Sequence, residues 1–245
     1  MKVAYLDCFA GVAGDMLVGA LLDAGLPLTD LQTELDKLNI TGWQIDVKRV
    51  KKQGVTGTKF NVVLEEHHDH RNLNDIRQII NTSTLATPIK DTALKIFERL
   101  ALAEAKVHDT TVNDVHFHEV GALDAIIDIV GVAVGFHWLE VEEIICSPLI
   151  TGRGYVHCAH GTIPVPAPAT VELLCGIPYQ QGNIEQELVT PTGAAVVATL
   201  CKEFRPLPEM ITQQVGYGAG QRDLTIPNLL RLHIGKKKQM LHQPV

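Results

Sequence analysis

Apolar side chains recur along this chain in two rhythms, and each switch between them marks the edge of an element. The apolar run at residues 3–6 predicts a strand over residues 2–8. A glycine-bearing loop, residues 9–15, then leads into a helix expected over residues 16–24, which Gly25 and Pro27 close. Thr29 and Gln32 have capping-box spacing and predict a second helix to about residue 38. Residues 43–50 and 57–64 alternate like two strands of a hairpin turning around Gln53-Gly54, with residues 55–57 as a flexible tip. Asn72 caps a short helix to residue 81, and Thr87-Pro88 opens another that runs over residues 89–107. Its Leu94, Phe97, Leu100, Ala101 and Ala105 form one apolar stripe, and His108 at its end complements the helix dipole. The longest apolar run, residues 120–139, contains Asp124, Asp128 and His137, so it reads as a buried helix rather than a membrane span.

The second half continues with a strand at residues 141–146 and a proline-rich lead-in to a helix at residues 169–175. A strand-to-helix joint follows at residues 187–193, then a glycine-rich turn at residues 214–220 and a final strand at residues 228–234. Strands and helices interleave throughout. The expected class is α/β or α+β, a mixed sheet with flanking helices and one long buried central helix. Residues 1–235 are expected to form a single domain, and residues 236–245 a disordered tail.

Composition narrows the field. A chain of 245 residues, 46% of them hydrophobic, can bury a sizeable core. Its net charge of −7 argues against nucleic acid as a partner. The N-terminal residues are too few and too polar for a signal peptide, and no membrane partner is expected. Five cysteines without a C-x-x-C pair fit reduced thiols in the cytoplasm.

The densest chemistry lies in residues 116–131. His116, His118 and Glu119 enter the central helix, and Asp124 and Asp128, four apart, share one of its faces. A carboxylate among apolar neighbours is costly unless a metal, a basic group or backbone N–H donors compensate it. Imidazoles and carboxylates together suit a divalent transition metal, which makes His116, His118 and Asp128 candidate ligands. Structural alternatives remain: Glu119 as a helix N-terminal acid, and the two aspartates as hydrogen-bond acceptors for a neighbouring loop. His67, His68 and His70 crowd a polar segment, where imidazoles would suit metal capture; an incidental solvated loop is the competing reading.

Two glycine-bearing joints suggest anion binding. Gly11 and Gly14 permit a sharp turn and close approach to a phosphate at the following helix N-terminus. Asp7 and Asp15 flank that loop and would suit a metal bridging the phosphate. Thr190, Thr192 and Gly193 resemble it in form and could hold a second anion. Plain helix caps, at Asp15 and at Thr190, explain both joints equally well. Arg153, His157 and His160 could enter a cleft, and Cys8 beside the first loop could touch a metal or simply pack.

Four segments, residues 6–16, 116–131, 160–168 and 188–193, together resemble the nickel insertion proteins of nickel-pincer cofactor biosynthesis, the LarC family of lactate racemase maturation. The resemblance implies a cyclometallase, of the lyase class. It would insert nickel into pyridinium-3,5-bisthiocarboxylic acid mononucleotide, forming two nickel–sulfur bonds and one nickel–carbon bond. It implies CTP with manganese or magnesium in the full-length family, and it carries His67, His68 and His70 over as nickel ligands. Making the nickel–carbon bond expels a ring proton, for which His118, Glu119 and Asp124 are the candidate bases. Full-length members continue into a C-terminal domain associated with the CTP, so the chain is expected to be incomplete without it. The implied partners are the pyridinium mononucleotide, that C-terminal domain or the full-length form, lactate racemase, and further copies in a homo-oligomer. A non-catalytic nickel chaperone or storage module, and a metal-dependent phosphohydrolase, are the competing functions.

Overall fold

The computed structural model of the chain describes residues 1–65, 71–115, 117, 123–158 and 161–237. β1 (Lys2–Asp7) lies inside a seven-stranded mixed sheet, antiparallel to β11 (Leu229–Lys237) and parallel to β4 (Glu143–Cys146). β9 (Cys201–Phe204) continues in parallel beyond β4 to one edge. On the other side β11 pairs with β10 (Met210–Ala219), followed by β3 (Val55–Leu64) and the edge strand β2 (Trp43–Lys52). Mixed pairing of this kind agrees with the α/β expectation.

Alternation along β1 sorts the two faces of the sheet. Ala4, Leu6 and Cys8 join the main core under the helices, while Val3 and Tyr5 join Ile145 in a small second cluster. The helices stack above the first face. α1 (Gly14–Asp23) lies directly on β3 and β10, and α5 (Leu123–Trp138) packs on α1. α5 is the expected long buried helix, with Leu123, Ile126, Ile127, Ile129 and Val130 all withdrawn from water. α4 (Thr87–Val107) packs on α5, and α3 (Leu73–Thr82), α6 (Pro168–Leu173) and α7 (Pro191–Leu200) pack on α4. α2 (Leu28–Asp36) lies against α5.

Several local expectations change. The glycine-rich stretch at residues 214–220 is not a turn but most of the second half of β10. Its glycines serve close packing: a Cβ on Gly218 would lie 1.7 Å from Met16 O, and one on Gly216 2.1 Å from Ala20 O. α1 rests on bare backbone there, held also by Tyr217 N–H donating to Asp23 Oδ2 at 2.8 Å. The capping box expected at Thr29 does not form, because α2 starts after Pro27 and has no side-chain cap. α4 takes Ala86 rather than Thr87 as its N-cap. The hairpin has a two-residue turn, Gln53 (φ 46) and Gly54 (φ 88), so residues 55–57 belong to β3. Two positive φ angles match the right-handed strand twist. Asn72 and Asp75 do form a reciprocal capping box at α3. β11 runs on through Lys237, beyond the expected end of the last strand.

Candidate functional site

The sheet carries its own opening. β3 and β10 are paired at a single register position, Gly218↔Thr58. Past that rung β3 carries Asn61 and Val62 along one side, and the connection from β10 to β11 lies on the other. The N-terminal ends of α1 and α7 lie at the floor. The result is a cleft of about 300 Å³.

The floor forms because the two glycine-bearing joints are stitched together. Val12 N–H donates to Leu188 O at 2.9 Å, and Thr190 N–H donates to Val12 O at 3.1 Å. Gly11, at φ 87, fits where a Cβ would lie 2.0 Å from Leu188 O. Gly193 likewise passes Val12 O, which a Cβ would approach to 2.3 Å. Thr190 is the N-cap of α7, its Oγ1 accepting from Gly193 N–H at 3.1 Å. Thr190 and Thr192 line the cleft.

Three aspartates form an acidic wall. Asp15, from the first turn of α1, and Asp124 and Asp128, from α5, all line the cleft. Asp128 reaches over the start of α1, where a Cβ on Gly14 would lie 2.4 Å from its Oδ2. Gly14 is therefore required by the close approach of a carboxylate. Asp128 Oδ1 is buried and finds no hydrogen-bond partner among the described residues. Burial, then Asp15, then Asp124 push the Asp128 carboxyl well above the usual range. Burial is also the main cause that raises Asp15 to about 6, with Asp124 adding to it. Met16 N–H, donating to Asp15 Oδ1 at 2.8 Å, and the Lys59 charge oppose that rise. Asp124 Oδ1 accepts from Ala125 N–H at 2.9 Å. Crowded, desolvated carboxylates of this kind favour either shared protons or a bound cation.

Other expected site residues fall elsewhere. Asp7 does not share the cleft. It follows the phase of Val3 and Tyr5, on the sheet face away from α1, and Arg231 holds its Oδ2 through Nε at 3.0 Å and Nη2 at 2.5 Å. Two N–H groups of the Gly11–Gly14 loop are already taken up within the fold, while Ala13 and Gly14 line the cleft. Gly11 N–H donates to Cys8 O at 3.0 Å and Val12 N–H is taken by Leu188 O. The carboxylates of Asp15 and Asp128 stand at the helix end where an anion would sit. Asp15 is not the N-cap of α1; Ala13 is. Arg153 pairs with Glu185 at 3.2 Å, and His157 Nδ1 is 2.8 Å from Thr162 Oγ1; both side chains are exposed and neither lines the cleft. Cys8 is a packed core thiol, its Sγ 3.5 Å from Cys146 Sγ. His67, His68, His70, His116, His118, Glu119 and His160 lie outside the described residues. Among the described residues no group of three or more ligating side chains is arranged to hold a metal ion.

Sequence reading missed the opposite wall. It comes from the connection between β10 and β11 and carries Gln221, Arg222 and Asn228. Buried Lys52 fastens it, its Nζ donating to Gln221 O and Arg222 O, both at 3.2 Å, and to Asp223 Oδ1 at 2.7 Å. Asn228 Nδ2 also donates to Arg222 O, at 2.9 Å. The only sequence signal was the cluster of polar residues after Gly220, which marks a loop and nothing more.

Comparison with known proteins agrees with this architecture's sequence motifs. A family described as "Nickel insertion protein" matches residues 4–245. A "Pyridinium-3,5-bisthiocarboxylic acid mononucleotide nickel insertion protein" of Desulfitobacterium hafniense is 52% identical over 236 residues, covering 96% of this chain and 59% of that protein. A protein of the same description from Geobacillus kaustophilus is 45% identical, covering 98% of this chain and 61% of its own length. A "Putative nickel insertion protein" of Citrifermentans bemidjiense is 50% identical, over 100% of this chain and 64% of the relative. The chain thus spans about three fifths of the length of these relatives. No solved structure matches. No described helix is long and apolar enough to cross a membrane. With the family matched over nearly its whole length and relatives near half identity, this chain belongs to the nickel insertion protein family.

Proposed function

We propose that this chain supplies the substrate cleft of a nickel insertion reaction on pyridinium-3,5-bisthiocarboxylic acid mononucleotide. Nickel is a substrate here, delivered to the ring rather than retained. The observation that carries the reading is the acidic wall, above all the buried, unpartnered Oδ1 of Asp128 beside Asp15 and Asp124. A divalent ion or a cationic ring brought against that wall offsets the burial that chiefly raises Asp15 and Asp128, and the neighbouring carboxyls that add to it. The ring is a pyridinium, so its positive charge is attracted to the same wall.

Forming the product makes two nickel–sulfur bonds and one nickel–carbon bond, while a ring C–H bond breaks and its proton leaves to a base. Asp124 is the described candidate base, together with His118 and Glu119 from the same segment. A carboxylate lining the cleft can take up that proton. Nickel entry through His67, His68 and His70 and transient coordination by His116, His118 and Asp128 complete the reading, since imidazole and carboxylate donors release this ion more readily than thiolates. CTP and its manganese or magnesium belong, in this reading, to the part of the relatives that this chain does not span, which is needed for complete lyase activity. The product would serve lactate racemase in the cytoplasm, where free thiols such as Cys8 and Cys146 stay reduced. Assembly into a homo-oligomer belongs to the same reading.

The test combines the chain with nickel and the dithiolated pyridinium mononucleotide, with and without CTP, manganese and the remaining segment of a relative. The nickel-bearing product, detected by mass and absorbance, is expected in the complete mixture and is expected to fall at least tenfold, as an order-of-magnitude figure, for Asp128→Asn. Nickel bound and returned without any product in the complete mixture would favour a storage protein instead.

A further inference from the structure

The cleft carries three aspartates on one wall and, across from them, Arg222 beside Glu187. Asp15, Asp124 and Asp128 stand on the side of α1 and α5. Arg222 stands on the β10–β11 connection and, among the described residues, is the only basic side chain lining the cleft. A phosphate monoester placed at the glycine loop would meet the carboxyls of Asp15 and Asp128 and no basic side chain among the lining residues there. We propose that the phosphate of the mononucleotide is instead anchored by Arg222, and that this fixes the direction in which the substrate lies. This deepens the reading above and rests on it.

Three features support Arg222 as an anchor. Its backbone is fixed before any ligand arrives, because Lys52 and Asn228 both donate to Arg222 O. Its side chain is already extended toward the α7 side, where Nη1 donates to Glu187 O at 2.9 Å. A guanidinium has five N–H donors, so a single carbonyl leaves most of its fork for phosphate oxygens. Thr190 and Thr192 line the same cleft near Glu187 and offer hydroxyls. Preorganisation of this kind lowers the ordering cost of binding.

The orientation follows from charge alone. With the phosphate at Arg222, the pyridinium ring extends toward the aspartates, and the ring carbon that must lose its proton faces the acidic wall. Reversal would place the dianion on three carboxyls and the cationic ring on a guanidinium.

The experiment measures binding by calorimetry of three probes to the 245-residue chain. These are nicotinic acid mononucleotide, its phosphate-free riboside, and ribose 5-phosphate. The wild-type chain is expected to prefer the mononucleotide over the riboside by about 10- to 100-fold, the range for charge-assisted hydrogen bonds. Arg222→Leu is expected to erase that preference and leave riboside binding unchanged, while Arg222→Lys restores part of it. Circular dichroism and the melting temperature establish that each variant is folded. If Arg222→Leu keeps the full preference for phosphate, or if no phosphate ester binds the wild-type chain, the anchor is overturned. Arg222-dependent binding of ribose 5-phosphate without any gain from the pyridinium ring would uphold the anchor while defeating the mononucleotide reading.

Discussion

Replacing Asp128 with asparagine removes a charge that the fold suppresses. Its folded carboxyl is raised first by burial and then by Asp15 and Asp124. A carboxyl raised in this way costs the folded state nothing below the unfolded value near ~4, because it is protonated in both states. The cost develops as pH rises above the unfolded value toward the raised folded value. Asp128→Asn is therefore expected to stabilise the chain by on the order of 1–2 kcal/mol at pH 8. The gain should shrink as pH falls toward the unfolded carboxyl value of about 4. Urea titrations at several pH values check this, and a gain that is constant or grows in acid would contradict it. The same variant is expected to bind nickel more weakly, so stability and function oppose each other at this residue. The pairing of Asp124 and Asp128 on one helix face was legible in the sequence, because a four-residue spacing fixes it. The role of Gly14 was not. Its lack of a side chain reads as turn freedom until Asp128 is seen lying over it.

At the scale of elements, the decisive contact is α1 seated on β10. Gly218→Ala would place a methyl group 1.7 Å from Met16 O, and the neighbour is backbone that cannot swing aside. The variant is expected to lose about 3 kcal/mol or more of stability. It is also expected to displace the start of α1 enough to disturb the Asp15 wall. A chemical denaturation midpoint within error of wild type would show that α1 lifts without cost. This strand was read as a turn because Gly216, Gly218 and Gly220 crowd a short stretch, and glycine is a poor strand former in isolation. Tertiary packing decides otherwise, since only bare backbone admits a helix so close. The hairpin, α3 with its Asn72 cap, and the buried α5 were legible, because their signals are local or strongly periodic. The cap at Thr29 does not form because Pro27, fixed in φ, is the N-cap of α2, two residues earlier.

For the whole molecule, thiol reactivity reports how the core opens. Cys146, in β4, and Cys8, just after the parallel strand β1, are fully buried, whereas Cys175 is exposed just beyond α6. In native buffer iodoacetamide is expected to modify Cys175 promptly. Cys8 and Cys146 should react only at the rate of global unfolding, since both belong to the main core. Peptide mass mapping over time distinguishes the classes, and early modification of Cys8 would reveal a local opening beside the cleft. Mixed α/β architecture and the shared helix face of Asp124 and Asp128 could be read from the chain alone. The facing wall could not, because it depends on Lys52 reaching a loop 170 residues later, and no local pattern encodes such a meeting.

That lysine has a wider consequence. Its ammonium fastens the hairpin end to the Arg222 connection, and Gln53 Nε2, donating to Leu224 O at 2.7 Å, adds a second tether. The edge ribbon and the guanidinium-bearing rim are therefore tied together beyond the single Gly218–Thr58 rung. A substitution at the tip of the ribbon, outside the cavity it serves, would alter the grip on a bound molecule without touching it.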